Sequence, residues 1–121
     1  MPCGMDARSI VELLSDISRL VATNAIRDPF QLKIVGSDFT FAFNDGSYQA
    51  KIAGEVVSPE AFVIWLNDAS PAEVTVESEG GALIVTVARA SLKVSPNTRG
   101  LEAAELYFAN PADGQTDWLI L

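Results

Sequence analysis

The chain has 121 residues, 49% hydrophobic and 20% charged, which suffices for one globular domain, residues 1–121, whose core needs no metal or disulfide. Sixteen acidic against eight basic residues give a net charge of -8. That balance opposes binding to nucleic-acid phosphates or anionic lipid and favours a basic partner. The absence of histidine removes the commonest general base and metal ligand, and with it the Ser-His-Asp and Cys-His arrangements. A zinc site would rest on Cys3 and carboxylates with no paired ligand spacing, so neither metal nor cofactor is expected. Cys3 alone closes no internal disulfide, which makes a reducing cytoplasm the expected compartment. No signal-peptide pattern and no apolar run long enough to cross a bilayer is found, and residues 1–5 read as a loose tail.

In chain order, Asp6 is the first helix signal. Ile10, Leu13, Leu14, Ile17, Leu20 and Val21 recur on one helical face, with Arg8, Glu12, Asp16, Arg19 and Thr23 on the other. The spacing predicts a helix over 6–26 that ends before Asp28-Pro29. Next comes FQLKIVGSDFTFAFNDGSYQAKIAG, which has two candidate two-residue turns, Gly36-Ser37 and Asp45-Gly46. With those turns Ile34 faces Phe39, Leu32 faces Phe41 and Phe30 faces Phe43, after which Phe43 faces Tyr48, Phe41 faces Ala50 and Phe39 faces Ile52. These residues share one face. Gln31, Lys33, Val35, Thr40, Ala42, Gln49 and Lys51 share the other, which predicts a three-stranded meander over 30–53 with one face in water.

Ser58 as N-cap, Pro59 at the first helical position and Pro71 as a stop predict a second helix over 59–69. At 100° per residue Phe62, Trp65, Leu66 and Ala69 form one face, Val63 lies on its flank and Ile64 lies nearly opposite. Beyond Pro71, a Gly80-Gly81 turn sets Val76 against Val85 and Val74 against Val87, with Glu73, Thr75 and Glu77 on the reverse side. The next strand is expected to run to Val94 and change face at a bulge near residues 89–91. Residues 101–109 have a helix-like composition, yet Glu105–Phe108 and Trp118–Leu121 also fit a closing hairpin, and the hairpin is preferred, with the last strand inside the sheet. The expected fold is α+β: two helices (6–26 and 59–69) packed on antiparallel meanders (30–53 and 72–121). Helix followed by strands occurs twice, over 6–53 and 58–121, with no residue-level repeat read from it.

No glycine-rich loop suited to phosphate is present, and carboxylates such as Asp113 and Asp117 read as ordinary turn and strand-end residues. The protein is therefore expected not to be an enzyme. Two surface features remain. Glu73, Glu77 and Glu79 share one side of a strand with Thr75, a negative stripe suited to a basic polypeptide. Val63 and Ile64 are apolar residues beyond what one core face needs. Together they suggest an acidic, cytoplasmic inhibitor or immunity-type protein that neutralises a basic polypeptide such as a toxin. A second reading is an escort module, homodimeric through Val63 and Ile64; the order helix, three strands, helix, strands resembles that of type III secretion chaperones, with no motif shared. A third is a small-ligand-binding protein or carboxylate-based enzyme with a pocket between the first helix and Phe39, Phe41, Phe43 and Tyr48.

Overall fold

The computed structural model describes residues 7–15, 20–95, 103–109 and 116–121, so Asp6, Cys3 and the proposed tail, along with Asp113, lie outside the described residues. Helix α1 (Ala7–Leu14) precedes β1 (Leu20–Asp28), β2 (Gln31–Gly36), β3 (Phe39–Asn44), β4 (Tyr48–Ile52) and β5 (Glu55–Val57). Helix α2 (Pro59–Ala69) precedes β6 (Ala72–Glu79), β7 (Ala82–Val87), β8 (Ala90–Val94), β9 (Ala104–Ala109) and β10 (Thr116–Ile120). All ten strands join one antiparallel sheet, so the α+β class holds with far more strand than two small meanders would give.

The first helix is much shorter than its apolar spacing suggests, because Leu20–Asp28 is a strand. Leu20, Ala22 and Ala25 are its buried residues, and a bulge between Ala22 and Asn24 keeps them on one face despite the odd spacing. Residues 20 and 21 fit a helical stripe or a bulged strand equally well, and pairing on both sides selects the strand: β1 pairs with β2 and, through Leu20–Ala22, with β6. The hairpin of β2 and β3 turns at Ser37-Asp38, one residue later than Gly36-Ser37, so Ile34 meets Phe41 and Leu32 meets Phe43. Gly36 stays in the strand because a Cβ there would run into the Val21 carbonyl and the Phe39 ring. Phe30 consequently falls in the β1–β2 turn and is 79% exposed rather than facing the core. Ala42, expected on the wet face, is buried; its register neighbours Lys33 and Glu105 have side chains that outreach its methyl group.

The expected three-stranded meander does not form, because β4 pairs with β8 and β5 while β9 takes the second edge of β3. Strand order is β10-β9-β3-β2-β1-β6-β7-β8-β4-β5, which sets β3 and β4 six spacings apart, about 29 Å on a flat sheet. Asn44 and Tyr48 are joined by too few residues to span more than about 14 Å. The sheet must therefore curl until β4 returns to β3, and the Phe43 and Tyr48 rings do meet, 6.3 Å between centroids. Leu106, Phe41, Ile34 and Ala25 follow one another across the pairings on the inner face, as do Leu20, Val74, Val87 and Ala90, all within one apolar cluster. Both helices add to it, α1 through Ala7, Ile10 and Leu14 and α2 through Phe62 and Leu66. The Val76–Val85 and Val74–Val87 pairings are as expected. What looked like a bulged strand past Val87 is a second tight hairpin, whose turn begins at Ala88 with φ 52. The closing hairpin also forms, with β10 at an edge of the sheet rather than inside it.

Exchanging β1–β5 for β6–β10 reverses the strand order into itself. The helices obey the same exchange: α2 lies on β1 and α1 lies on β6. The chain is thus two copies of a helix and five strands about a pseudo-two-fold axis between β1 and β6, each copy lending its last hairpin to the other. Registers and burial identify corresponding residues: Ile10 with Phe62, Leu14 with Leu66, Leu32 with Leu83, Ile34 with Val85, Phe41 with Leu92 and Ala50 with Leu106. A residue-level repeat does accompany the duplication. Leu14-Ser15-Asp16-Ile17-Ser18 corresponds to Leu66-Asn67-Asp68-Ala69-Ser70. Five strands separate the helices, not three, so the order behind the resemblance to secretion chaperones is not the one found.

Candidate protein-binding surface

Glu73, Thr75, Glu77 and Glu79 alternate along β6 and are all exposed. Their neighbours Val74 and Val76 turn inward, so the alternation of the strand alone aims the carboxylates away from the core. Because this row is exposed, α1 must lie on the inner side of β6, where Ile10 and Leu14 are buried. Glu77 is paired with Ile84 and Ile84 with Lys93, which places a lysine on the same face two strands away, about 10 Å. The carboxylates thus follow one another along the outer face of β6, from Glu73 beside the pseudo-axis to Glu79 at the strand's end, with Lys93 to one side.

Helix α2 runs as expected from its N-cap, where Ser58 Oγ accepts the Ala61 N–H at 3.1 Å. Val63 is partly buried against the core, whereas Ile64 is 67% exposed. These two residues therefore do not form one surface pair. The next turn of α2 does something that sequence spacing does not indicate: Asn67 bridges to β1, accepting the Ala25 N–H at 2.8 Å and donating to the Ala25 carbonyl at 3.1 Å. β6 leaves β1 after Ala22, and the carboxamide of Asn67 takes the place of the missing strand.

Beside this seam Arg27 reaches the turn between β3 and β4. Its two terminal nitrogens donate to both Asp45 oxygens at 2.8 and 2.7 Å, and Tyr48 donates to Asp45 at 3.2 Å. Glu60 of α2 lies 3.7 Å from Arg27 Nε. The Arg27 hydrogen bonds hold the Asp45 carboxyl below the usual carboxylate range, against the opposing effect of its burial. Burial and the neighbouring Asp45 charge push the Tyr48 hydroxyl above its ordinary value. This cluster joins β1, the β3–β4 turn and α2, and so pins the curled sheet shut at one end.

A depressed carboxyl contributes stability that is complete above its unfolded value, about 3.9, and lost as pH falls through the folded value. Asp45→Asn is accordingly expected to cost about 1 kcal/mol near neutrality, a figure reduced for the third of the side chain that is exposed, and nothing in strong acid. Urea melts of both proteins from pH 7 downward check this; a gap that stays constant with pH would contradict the pairing.

Phe39, Phe41 and Phe43 pack on one another, centroids 4.7 and 6.4 Å apart, as part of the core. Among the described residues no group of three His, Cys, Asp or Glu is placed to hold a metal ion, and no helix is long and apolar enough to cross a membrane. The Asp117 side chain, like Asp113, lies outside the described residues. No family model, curated protein or solved structure matches the chain.

Proposed function

We propose that this is a non-enzymatic protein-binding domain of the cytoplasm that captures a basic polypeptide, in the manner of an inhibitor or immunity-type protein. The observation that carries this reading is the solvent-exposed row Glu73, Glu77 and Glu79 along the outer face of β6, in a chain of net charge -8. Carboxylates in such a row act together on an approaching cationic chain, raising the rate of encounter more than the strength of the final complex. The duplication supports the same conclusion at one position: the counterpart of Glu77 is Ile26, whereas that of Glu79 is Asp28, so the fold itself does not call for an acid at Glu77. An escort role is a second reading, favoured by the exposure of Ile64.

Capture from lysate of the source cell with the tagged chain tests the first reading, at low and then high salt, beside the variant Glu73→Lys, Glu77→Lys, Glu79→Lys. A basic polypeptide held in stoichiometric amount, released by salt and held at least about tenfold less by the variant, is expected. Equal capture by the variant, or an empty bait, would overturn it.

A further inference from the structure

The duplicated fold supplies an internal control for reading its surface: a feature required by the architecture should recur at the corresponding place in the other copy. The seam between α2 and β1 fails that test. Glu60 and Asn67 of α2 contact Arg27 and Ala25 of β1, and Ile64 projects between them at 40° from Glu60 on the helix, on the side away from the core. Ile26 points outward from β1 between the two contacted residues, along the same stretch of the seam that Ile64 occupies on α2. Ile26 is 41% exposed, Ile64 67%, and Phe30 in the adjoining turn 79%. Their counterparts in the other copy are Glu77, Glu12 and Gly81. The same architecture is thus built with two acids and a glycine where this seam has three large apolar side chains.

We infer that the α2–β1 seam is the docking surface for an extended or helical segment of a partner protein that alternates apolar with basic residues. This rests on the protein-binding reading above and moves its anchoring contacts to the other side of the pseudo-axis. Charge identifies the occupant. Arg27 already gives both terminal nitrogens to Asp45, so Glu60 at the seam's edge keeps only the longer contact to Nε and remains 63% exposed. Lys33, the other cation next to Ile26, is 2.8 Å from Asp28. Apolar side chains on the seam would therefore be joined by a lysine or arginine at Glu60, while further basic residues reach the β6 row across the axis. A second copy of this chain brings another -8 and is disfavoured by repulsion. Exposed Ile and Phe in a water-excluding contact supply the holding energy that a carboxylate row in water does not.

The test is an amide chemical-shift titration of the full chain with two synthetic peptides, one alternating leucine with lysine and one alternating serine with lysine. The leucine–lysine peptide is expected to shift Ile26, Phe30, Glu60 and Ile64, to bind at least about tenfold more tightly than the serine–lysine peptide, and to lose that advantage in Ile64→Asp. The exposed site lets Ile64→Asp keep its fold, which the same spectrum verifies. Shifts confined to Glu73–Glu79, with equal affinity for both peptides, would overturn the seam but leave the basic-partner reading standing. No response to either peptide would overturn both. Shifts at Ile64 that depend on protein concentration without any peptide would identify a second copy as the occupant and also overturn the inference.

Discussion

Phe41→Ala is expected to lower the free energy of unfolding by about 3–5 kcal/mol, the largest effect of any single truncation considered. Phe41 is fully buried, lies between Phe39 and Phe43 at centroid distances of 4.7 and 6.4 Å, and pairs with Ile34 on one side and Leu106 on the other. The ring therefore joins β2, β3 and the exchanged strand β9, so its loss leaves a cavity where the two copies interlock. A domain of this size is stable by only about 5–15 kcal/mol, and the variant should unfold at much lower urea. The corresponding residue, Leu92, occupies the equivalent place between β7 and the exchanged strand β4. Leu92→Ala should cost about 2–5 kcal/mol by the same mechanism. A loss below about 1 kcal/mol for Phe41→Ala would mean that this interlock is not the centre of the core.

Asn67→Ala is expected to cost about 1–3 kcal/mol, a large effect for a side chain at the surface. The truncation removes both hydrogen bonds to Ala25, a residue 5% exposed, and leaves its backbone N–H and carbonyl without a protein partner on that edge. Its counterpart provides the contrast. Ser15 stands at the same position of α1 but donates to the Glu12 carbonyl of its own helix at 2.7 Å, so Ser15→Ala should change stability by less than about 0.5 kcal/mol. Amide exchange at Ala25 gives a second readout, since it should quicken in Asn67→Ala and not in Ser15→Ala. Equal effects of the two substitutions would show that the carboxamide does not stand in for a strand.

The residues that face the core were largely legible, because alternation assigns a strand residue to one face whatever its partner. Phe41, Phe43, Tyr48 and Ala50 were placed inward correctly even though β3 and β4 do not pair. Partnership was legible at the Gly80-Gly81 turn and at the closing hairpin of β9 and β10, but not at Asp45-Gly46, where β3 and β4 each pair elsewhere. The exchange of β4–β5 and β9–β10 between copies has no local signal, since it depends on which distant edge is vacant. Ala53 and Ala88 begin tight turns with φ 52 each, in a conformation that glycine normally fills, and neither advertises a turn by its identity. The end of α1 was overrun because Leu20 and Val21 satisfy the helical period as well as the strand's, and a bulge conceals the latter.

At the candidate surface, the exposure of Glu73, Glu77, Glu79 and Ile64 followed from parity and from the helical wheel. Ile26 and Phe30 were missed, one absorbed into a helix past its end and the other assigned to a strand. The repeat of Leu-Ser-Asp-Ile-Ser as Leu-Asn-Asp-Ala-Ser was the available signal, and aligning the halves on it sets Glu12 opposite Ile64.

The most direct measurement is the association rate constant of the captured polypeptide with the wild-type chain and with the triple glutamate-to-lysine variant, by stopped flow at low and high salt. Steering by the β6 row requires the rate constant to fall at least about tenfold with salt and again with charge reversal, while dissociation changes little. A rate constant indifferent to both would contradict a binding role for the acidic face.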